Sequence, residues 1–310
     1  MGPKSHKKIL AYDLGGTKVL VGVVTHQGKV LEDLRVPIAA EKGRTAVVKQ
    51  LADLGKAFLE KHPDIKKIGI SSAGPLDPKT GTLLDPTNMG KLGQFPLAKL
   101  LSAKLKLPVA IENDAAAAIL AEHWKGKAKG VKNAMILTLG TGVGTGIIAN
   151  GELVRAGRHL HTEASHIIIR QGDKSAPCGC GNLGCTEAFL SGRSFARRNR
   201  IRFARPEMTA QDIAELARQG DPRALAAFEE YAELMAIAVH NYCVIYCPEL
   251  FVFTGSFAET ADLFLPQVRE HLKKLLKRRR KGIDLYPKLV VSSLENRAGL
   301  LGGAYVALNY

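Results

Sequence analysis

The sequence has no apolar run long enough to cross a bilayer, which excludes a membrane-spanning helix. Residues 1–13 contain no apolar segment followed by small residues, so we expect no secretory signal. Position 6 is His6 rather than Ser or Thr, which also breaks the N-myristoylation pattern. With ordinary fractions of apolar (46%) and charged (24%) residues, the chain is expected to be a globular protein of the cytoplasm.

Cysteine is scarce and unevenly distributed. Of five cysteines, Cys178, Cys180 and Cys185 form a cluster, and Cys243 and Cys247 lie in an apolar stretch. An odd number with such clustering argues against the disulfide framework of a small secreted protein. Clustered thiols in a reducing compartment suggest a metal site instead.

Positive charge is in excess, with a formal net charge of +15. The excess is concentrated in residues 193–205 and 273–282, and the second run reads as the end of a helix with Gly282 as its C-cap. No nucleic-acid-binding motif accompanies either run, so nucleic acid is an unlikely partner. The first run either covers part of an anionic cleft or forms a solvated basic face that attracts ATP.

Strand and helix patterns alternate along the chain, which predicts an α/β protein. Apolar strands are predicted at 9–13, 19–24, 68–74 and 109–114, the last followed by an alanine-rich helix. Another helix is predicted after Thr45, as N-cap, with Val47, Val48, Leu51, Leu54 and Phe58 on its apolar face.

The strand–glycine turn–strand pattern of residues 9–24 recurs about 125 residues later. Residues 134–140 form the second strand before a glycine turn, and Asn150-Gly151 is a strong type I′ hairpin signal. Asp221-Pro222 predicts the start of a long helix, followed by strands at 249–257 and 288–293 and a closing helix at 298–308. The 310 residues exceed what one core usually supports, so we predict two related lobes.

Each glycine turn is suited to binding phosphate, since backbone N–H groups can approach an anion where no Cβ intervenes. The first turn, Asp13-Leu14-Gly15-Gly16-Thr17-Lys18, adds a carboxylate for magnesium and a hydroxyl for phosphate. The second turn is Gly140-Thr141-Gly142-Val143-Gly144. Neither turn matches the Walker loop or the dinucleotide-binding G-x-G-x-x-G pattern.

Asp114 lies at the carboxyl end of a predicted strand, where ligands collect in α/β folds. Phosphoryl transfer to an alcohol needs a base at the hydroxyl, and a carboxylate can serve. The spacing alone is equally consistent with an aspartate that caps the following helix.

The segment Cys178-Gly-Cys180-Gly-Asn-Leu-Gly-Cys185 places three thiols in one short loop. His166, with 11 residues between it and Cys178, is the candidate fourth ligand. Four protein ligands close a tetrahedral zinc shell, which predicts a structural metal rather than one that activates water.

These motifs resemble the superfamily of sugar kinases, heat-shock ATPases and actin, and more narrowly the ROK family (repressors, open reading frames and sugar kinases). The resemblance rests on D-L-G-G-T-K at 13–18, E-N-D-A at 112–115 and C-x-C-G-x-x-G-C-x-E at 178–187, and spans most of the chain. It implies two ribonuclease-H-like (actin-like ATPase) lobes around a central cleft, with a zinc-binding loop. The boundaries we expect are 1–120 plus 296–310 for the smaller lobe and 121–295 for the larger.

The resemblance also implies roles for individual residues. Asp114 would be the general base. The sugar would be bound by Gly74, Asn88, Asn113, Asp114, Glu163, His166 and Glu187. ATP and its phosphates would be bound by Asp13, Gly15, Gly16, Thr17, Lys18, Gly140, Thr141, Gly142 and Gly255. Zinc would be bound by His166, Cys178, Cys180 and Cys185.

Residues 155–165 depart from the family pattern, which usually has glycine and alanine before E-x-G-H. Here the bulky residues Arg155, Arg158, His159 and His161 precede Glu163, and Ser165 replaces the glycine. These side chains either exclude a 2-acetamido group, contact an anionic partner or lie outside the pocket.

The implied activity is transfer of a phosphoryl group from ATP, with Mg²⁺, to a hexose, most simply glucose. An N-acetylhexosamine kinase is the nearer alternative, and a sugar-sensing regulator without catalysis the more distant one. The regulators carry a helix-turn-helix before the first glycine turn, and only about a dozen residues precede Asp13 here. The family resemblance also allows a homodimer.

Overall fold

The computed structural model describes residues 7–86, 89–90, 92–155, 157, 160–277 and 284–310. The chain forms two compact units. Unit 1 comprises Met1–Lys129, Leu153–Thr162 and Asn296–Tyr310, and unit 2 comprises Gly130–Glu152 and Glu163–Glu295. Within the described residues, no helix is both long and apolar enough to traverse a lipid bilayer.

Unit 1 is built on a mixed five-stranded sheet. Its elements in chain order are β1 (Lys8–Leu14), β2 (Lys18–Thr25), β3 (Val30–Pro37), α1 (Arg44–Lys61), β4 (Ile68–Ser72), β5 (Leu76–Asp77), β6 (Thr82–Leu84), β7 (Gln94–Phe95), α2 (Leu97–Leu105), β8 (Val109–Asn113) and α3 (Asp114–Lys125). The strand order is β3-β2-β1-β4-β8, and β5-β6-β7 form a separate small sheet. Strands β1 and β2 pair antiparallel, whereas β1, β4 and β8 run parallel. The carboxyl ends of β1, β4 and β8 therefore share one edge.

Helix α1 begins two residues earlier than the sequence predicts. The predicted N-cap, Thr45, lies inside the helix, and Gly43 occupies the cap position with φ of 84°. This positive φ, which glycine adopts without steric cost, turns the chain into the helix before Thr45 is reached. The predicted apolar face is confirmed, since Val47, Val48, Leu51 and Phe58 are buried and Leu54 packs against them.

Unit 2 contains a second five-stranded sheet of the same design. Its elements are β9 (Ala134–Leu139), β10 (Val143–Ala149), β11 (Glu152–Leu153), α4 (Thr186–Leu190), α5 (Gly192–Phe203), α6 (Ala210–Arg218), α7 (Pro222–Tyr246), β12 (Leu250–Thr254), α8 (Leu265–Lys277) and β13 (Lys288–Val291), where the last residue of β11 belongs to unit 1. The order is β11-β10-β9-β12-β13. Strand β9 pairs antiparallel with β10 and parallel with β12, and β12 pairs parallel with β13, which matches the β1–β2, β1–β4 and β4–β8 pairings of unit 1. Asn150 and Gly151 both have positive φ, which confirms the predicted hairpin.

The chain ends in α9 (Ala298–Asn309), which belongs to unit 1 and packs on β1, β4 and α3. Its glycines allow this close approach. A Cβ on Gly303 would lie 3.0 Å from the Tyr12 carbonyl oxygen, and one on Gly299 would overlap the Asp13 carboxylate. The helix therefore fixes the end of β1, where the first glycine turn begins.

The structure describes the first of the two basic runs completely and the second only in part. Residues 193–205 lie largely on α5, where Arg198 and Arg202 both form ion pairs with Glu230, so part of this charge is neutralised within unit 2. Helix α8 continues to Lys277, and the predicted C-cap at Gly282 lies outside the described residues.

Candidate active site

The first glycine turn joins β1 to β2 in unit 1. It is tight, because the Gly15 N–H donates to the Lys18 carbonyl over 3.0 Å and a Cβ on Gly15 would lie 3.3 Å from that oxygen. Gly15 and Gly16 are half-buried, whereas Thr17 and Lys18 are exposed. The turn thus presents a hydroxyl and an ammonium group to solvent beside its backbone.

Asp13, at the end of β1, has an unusual environment for a carboxylate. Burial and the neighbouring negative charge of Asp114 raise the pKa of Asp13 to about 6, although Ser71 and Arg35 act in the opposite direction. The Ser71 hydroxyl donates to Asp13 Oδ1 over 3.4 Å. Two carboxylates at one strand edge form a centre of negative charge that a divalent cation would stabilise.

Asn113 and Asp114 mark the transition from β8 to α3. Asn113 is the N-cap, and its Oδ1 accepts the N–H groups of Ala115 and Ala116 over 3.0 and 3.2 Å. Asn113 therefore occupies the cap position that we considered for Asp114, and Asp114 Oδ1 also accepts the Ala115 N–H, over 2.8 Å. Asp114 is exposed at the first position of a helix whose next eight residues are buried. A carboxylate so placed is accessible to a substrate hydroxyl.

Asn113 also lies close to Gly74 and His161. A Cβ on Gly74 would be 3.2 Å from Asn113 Nδ2 and 3.1 Å from His161 Cε1. The predicted sugar ligands Gly74, Asn113 and Asp114 are thus brought to one region of unit 1. Asn88, the fourth sugar ligand predicted in this lobe, lies outside the described residues.

The second glycine turn joins β9 to β10 in unit 2. The Gly140 N–H donates to the Gly142 carbonyl over 3.0 Å, and the Gly140 carbonyl accepts the Gly192 N–H over 2.8 Å. Thr141 at the tip is exposed. Gly255, with φ of 92°, packs its Cα against the Leu139 carbonyl. The predicted adenosine contact is therefore adjacent to the second phosphate turn.

The four predicted zinc ligands converge in unit 2. Ligand atoms of His166, Cys178, Cys180 and Cys185 all lie within 4.8 Å of one another. The Cys180 and Cys185 sulfurs are 3.7 Å apart. A tetrahedral zinc ion with Zn–S bonds of about 2.3 Å holds two sulfurs about 3.8 Å apart, so this set fits zinc.

A continuous row of contacts connects these thiols to the predicted sugar ligands of unit 2. His166 Nδ1 is 3.4 Å from Cys178 Sγ, and its Nε2 is 3.6 Å from Glu163 Oε2. Cys178 also contacts Glu187 Oε1 at 3.5 Å, and Glu187 Oε2 accepts the Val143 N–H over 3.0 Å. Glu187 thereby links the cysteine loop to the second glycine turn.

The ion pair of Glu112 with Arg155 in unit 1 was not predicted from the sequence. Glu112, only 1% exposed, accepts the Asn113 N–H at Oε1 over 2.8 Å and the Arg155 guanidinium at Oε2 over 2.5 Å. The two residues of this ion pair are 43 positions apart in the sequence, so no local sequence pattern indicates that they pair. The charged residue inside the apolar strand β8 was the signal that could have identified it.

Sequence comparison agrees with the motifs. The model of the ROK family matches residues 9–309. A glucokinase of Halalkalibacterium halodurans is 30% identical over 97% of this chain and 95% of its own length. An N-acetyl-D-glucosamine kinase of Citrobacter koseri is 30% identical over 96% of this chain and 98% of its own length.

Comparison of structures gives the same result. The crystal structure of a ROK family glucokinase from Streptomyces griseus in complex with glucose and AMPPNP superposes with a TM-score of 0.83 at 29% identity. The match covers 98% of this chain and 100% of that chain. The α/β fold with its two mixed sheets is thus the fold of this enzyme.

Proposed function

The chain belongs to the ROK family, and from that premise we propose that it is an ATP-dependent hexose kinase with glucose as its preferred acceptor. The observation that carries the proposal is the exposed Asp114 carboxylate beside Asp13, at the strand edge that also bears the first glycine turn. The naming of its relatives as glucokinases and the glucose and AMPPNP of the S. griseus complex support the choice of substrates.

In the proposed reaction, Asp114 accepts the proton of a hexose hydroxyl as the hydroxyl oxygen attacks the γ-phosphorus of ATP. The new bond is P–O to the sugar, the bond to the β–γ bridging oxygen breaks, and ADP leaves. Asn113 would bind the sugar through Nδ2, because its Oδ1 is occupied by the two N–H groups of α3.

The phosphates would be bound by the two glycine turns. The phosphate-binding residues would be Gly15, Gly16, Thr17 and Lys18 in unit 1 and Gly140, Thr141 and Gly142 in unit 2. Gly255 would contact the adenosine. Mg²⁺ would neutralise charge on the phosphates, and Asp13 is the residue suited to bind it or its water. A bound cation would also relieve the repulsion between Asp13 and Asp114.

We further propose that His166, Cys178, Cys180 and Cys185 bind a structural zinc ion. The ion would make the segment of residues 163–187 rigid, and that segment carries Glu163 and His166 at one end and Glu187 at the other. These three side chains would bind sugar hydroxyls through charge-assisted hydrogen bonds. The cluster of reduced thiols is also why we expect the protein in the cytoplasm.

The experiment is a panel of sugars assayed by ADP release with ATP and magnesium. The proposal predicts the highest kcat/KM for glucose, and lower values for mannose, fructose, N-acetylglucosamine and N-acetylmannosamine. Because the chain is similar to the C. koseri enzyme, an N-acetylhexosamine kinase is the second candidate. The highest kcat/KM for an acetamido sugar would establish that function. No turnover of any hexose would contradict both.

A further inference from the structure

His161 is buried, at 9% exposure, yet it follows a segment rich in polar and basic residues. Its ring borders two of the sugar ligands proposed above. Cε1 and Nε2 of His161 lie 3.1 and 3.4 Å from the point where a Cβ on Gly74 would stand, and Asn113 Nδ2 lies 3.2 Å from the same point. The imidazole and the amide therefore both lie against the side of Gly74 on which another residue would carry its Cβ.

The segment that carries His161 is anchored at its other end. Residues Leu153–Thr162 belong to unit 1, and the side chain of Arg155 reaches the buried Glu112 carboxylate over 2.5 Å. Glu112 in turn accepts the Asn113 N–H. One carboxylate thus binds both the segment that carries His161 and the backbone of Asn113.

We propose that His161 is a specificity-determining residue, which restricts the acceptor to hexoses without a 2-acetamido group. The inference rests on the proposed hexose kinase activity and adds to it the cause of substrate choice. The imidazole occupies space beside the proposed sugar ligands Gly74 and Asn113, and the Arg155–Glu112 ion pair holds the segment that carries it. One extra or missing methylene group in an apolar pocket changes kcat/KM by about 10–200-fold, and an acetamido group is larger than a methylene.

The experiment measures kcat/KM for glucose and for N-acetylglucosamine in the wild type, His161→Ala and His161→Phe. Removal of the ring should raise the ratio of N-acetylglucosamine to glucose by at least about tenfold. Phenylalanine keeps the bulk and loses the nitrogen atoms, so His161→Phe should keep the wild-type ratio if bulk is the cause. His240→Ala, on α7 in unit 2, is the matched control and should leave the ratio unchanged.

Thermal unfolding of each variant shows whether it is folded. An unchanged ratio in a folded His161→Ala protein, or a wild type that already prefers N-acetylglucosamine, would overturn the inference. Calorimetry gives the ratio of the Kd values for the two sugars without turnover, so it can also be applied to a variant that has lost activity. A wild type that binds and discriminates the sugars but phosphorylates neither would refute the proposed kinase activity and leave the role of His161 supported.

Discussion

Arg155 and Glu112 form a salt bridge of 2.5 Å, in which the carboxylate is 1% exposed and the guanidinium side chain 22% exposed. The other carboxylate oxygen binds the N–H of Asn113, the residue before the proposed catalytic base. Tyr310, the last residue of the chain, lies with its ring centroid 5.6 Å from the Arg155 guanidinium carbon. A single ion pair therefore connects the segment Leu153–Thr162, strand β8 and the C-terminus within unit 1.

Arg155→Met should destabilise the protein strongly. Loss of one partner leaves the Glu112 carboxylate buried without its counter-charge, which typically costs about 3–5 kcal/mol. The double variant Glu112→Gln/Arg155→Met should recover much of that loss, because the neutral amide can still accept the Asn113 N–H. Urea unfolding of the two variants measures this difference. Equal free energies of unfolding for wild type and Arg155→Met would show that the pair contributes nothing.

Asp114→Asn should preserve the fold and sugar binding but reduce kcat. A positioned general base contributes about 10²–10⁴-fold, and an amide cannot accept the proton of the hydroxyl. The exposed position of Asp114 at the start of α3 should leave thermal stability nearly unchanged. Asp53→Asn, an exposed carboxylate on α1, is the control and should retain full activity. Phosphorylation by Asp114→Asn at near the wild-type rate would rule out the general-base role.

The sequence predicts those parts of the molecule in which neighbouring residues determine the structure. The glycine turns, the Asn150-Gly151 hairpin, the Asp221 helix start and the cysteine cluster all depend on local backbone chemistry or short spacing, and each is found where expected. The family was predicted from the same local motifs. The cap of α1 was wrong by two residues because the positive φ of Gly43 decides where the helix begins.

The parts that the sequence did not predict depend on contacts between distant segments. Glu112 and Arg155 lie far apart in the chain, and Gly74 meets His161 only after β4, β8 and the segment Leu153–Thr162 have assembled. The sequence offered Asp114 as the cap of α3, whereas the cap position is occupied by Asn113, one residue earlier. The unusual residues before Glu163 were visible in the sequence, but the burial of His161 was not.

Asp13 should make the stability of the metal-free protein depend on pH. Its pKa is raised from 3.8 to about 6, so the native state binds this proton more tightly than the unfolded state does. The favourable contribution is complete below the unfolded pKa and is lost as the pH rises through about 6. Asp13→Asn removes this dependence. Its free energy of unfolding should therefore improve relative to the wild type between pH 4 and pH 6, measured by urea unfolding at each pH. A constant difference across that range would contradict the raised pKa.

Removal of zinc should reduce both stability and activity, because the proposed ion holds the loop that presents Glu163, His166 and Glu187. We expect one zinc ion per chain by elemental analysis of protein purified without added metal. Cys185→Ser should lose this zinc, because Cys185 is the buried thiol of the cluster and a serine hydroxyl is a poor ligand for the ion. The thermal midpoint and kcat/KM should fall together in that variant, whereas Cys247→Ser, an exposed cysteine outside the cluster, should keep both. A fully active wild-type protein that contains no metal would refute the zinc site, since the loop would then be ordered by its own hydrogen bonds.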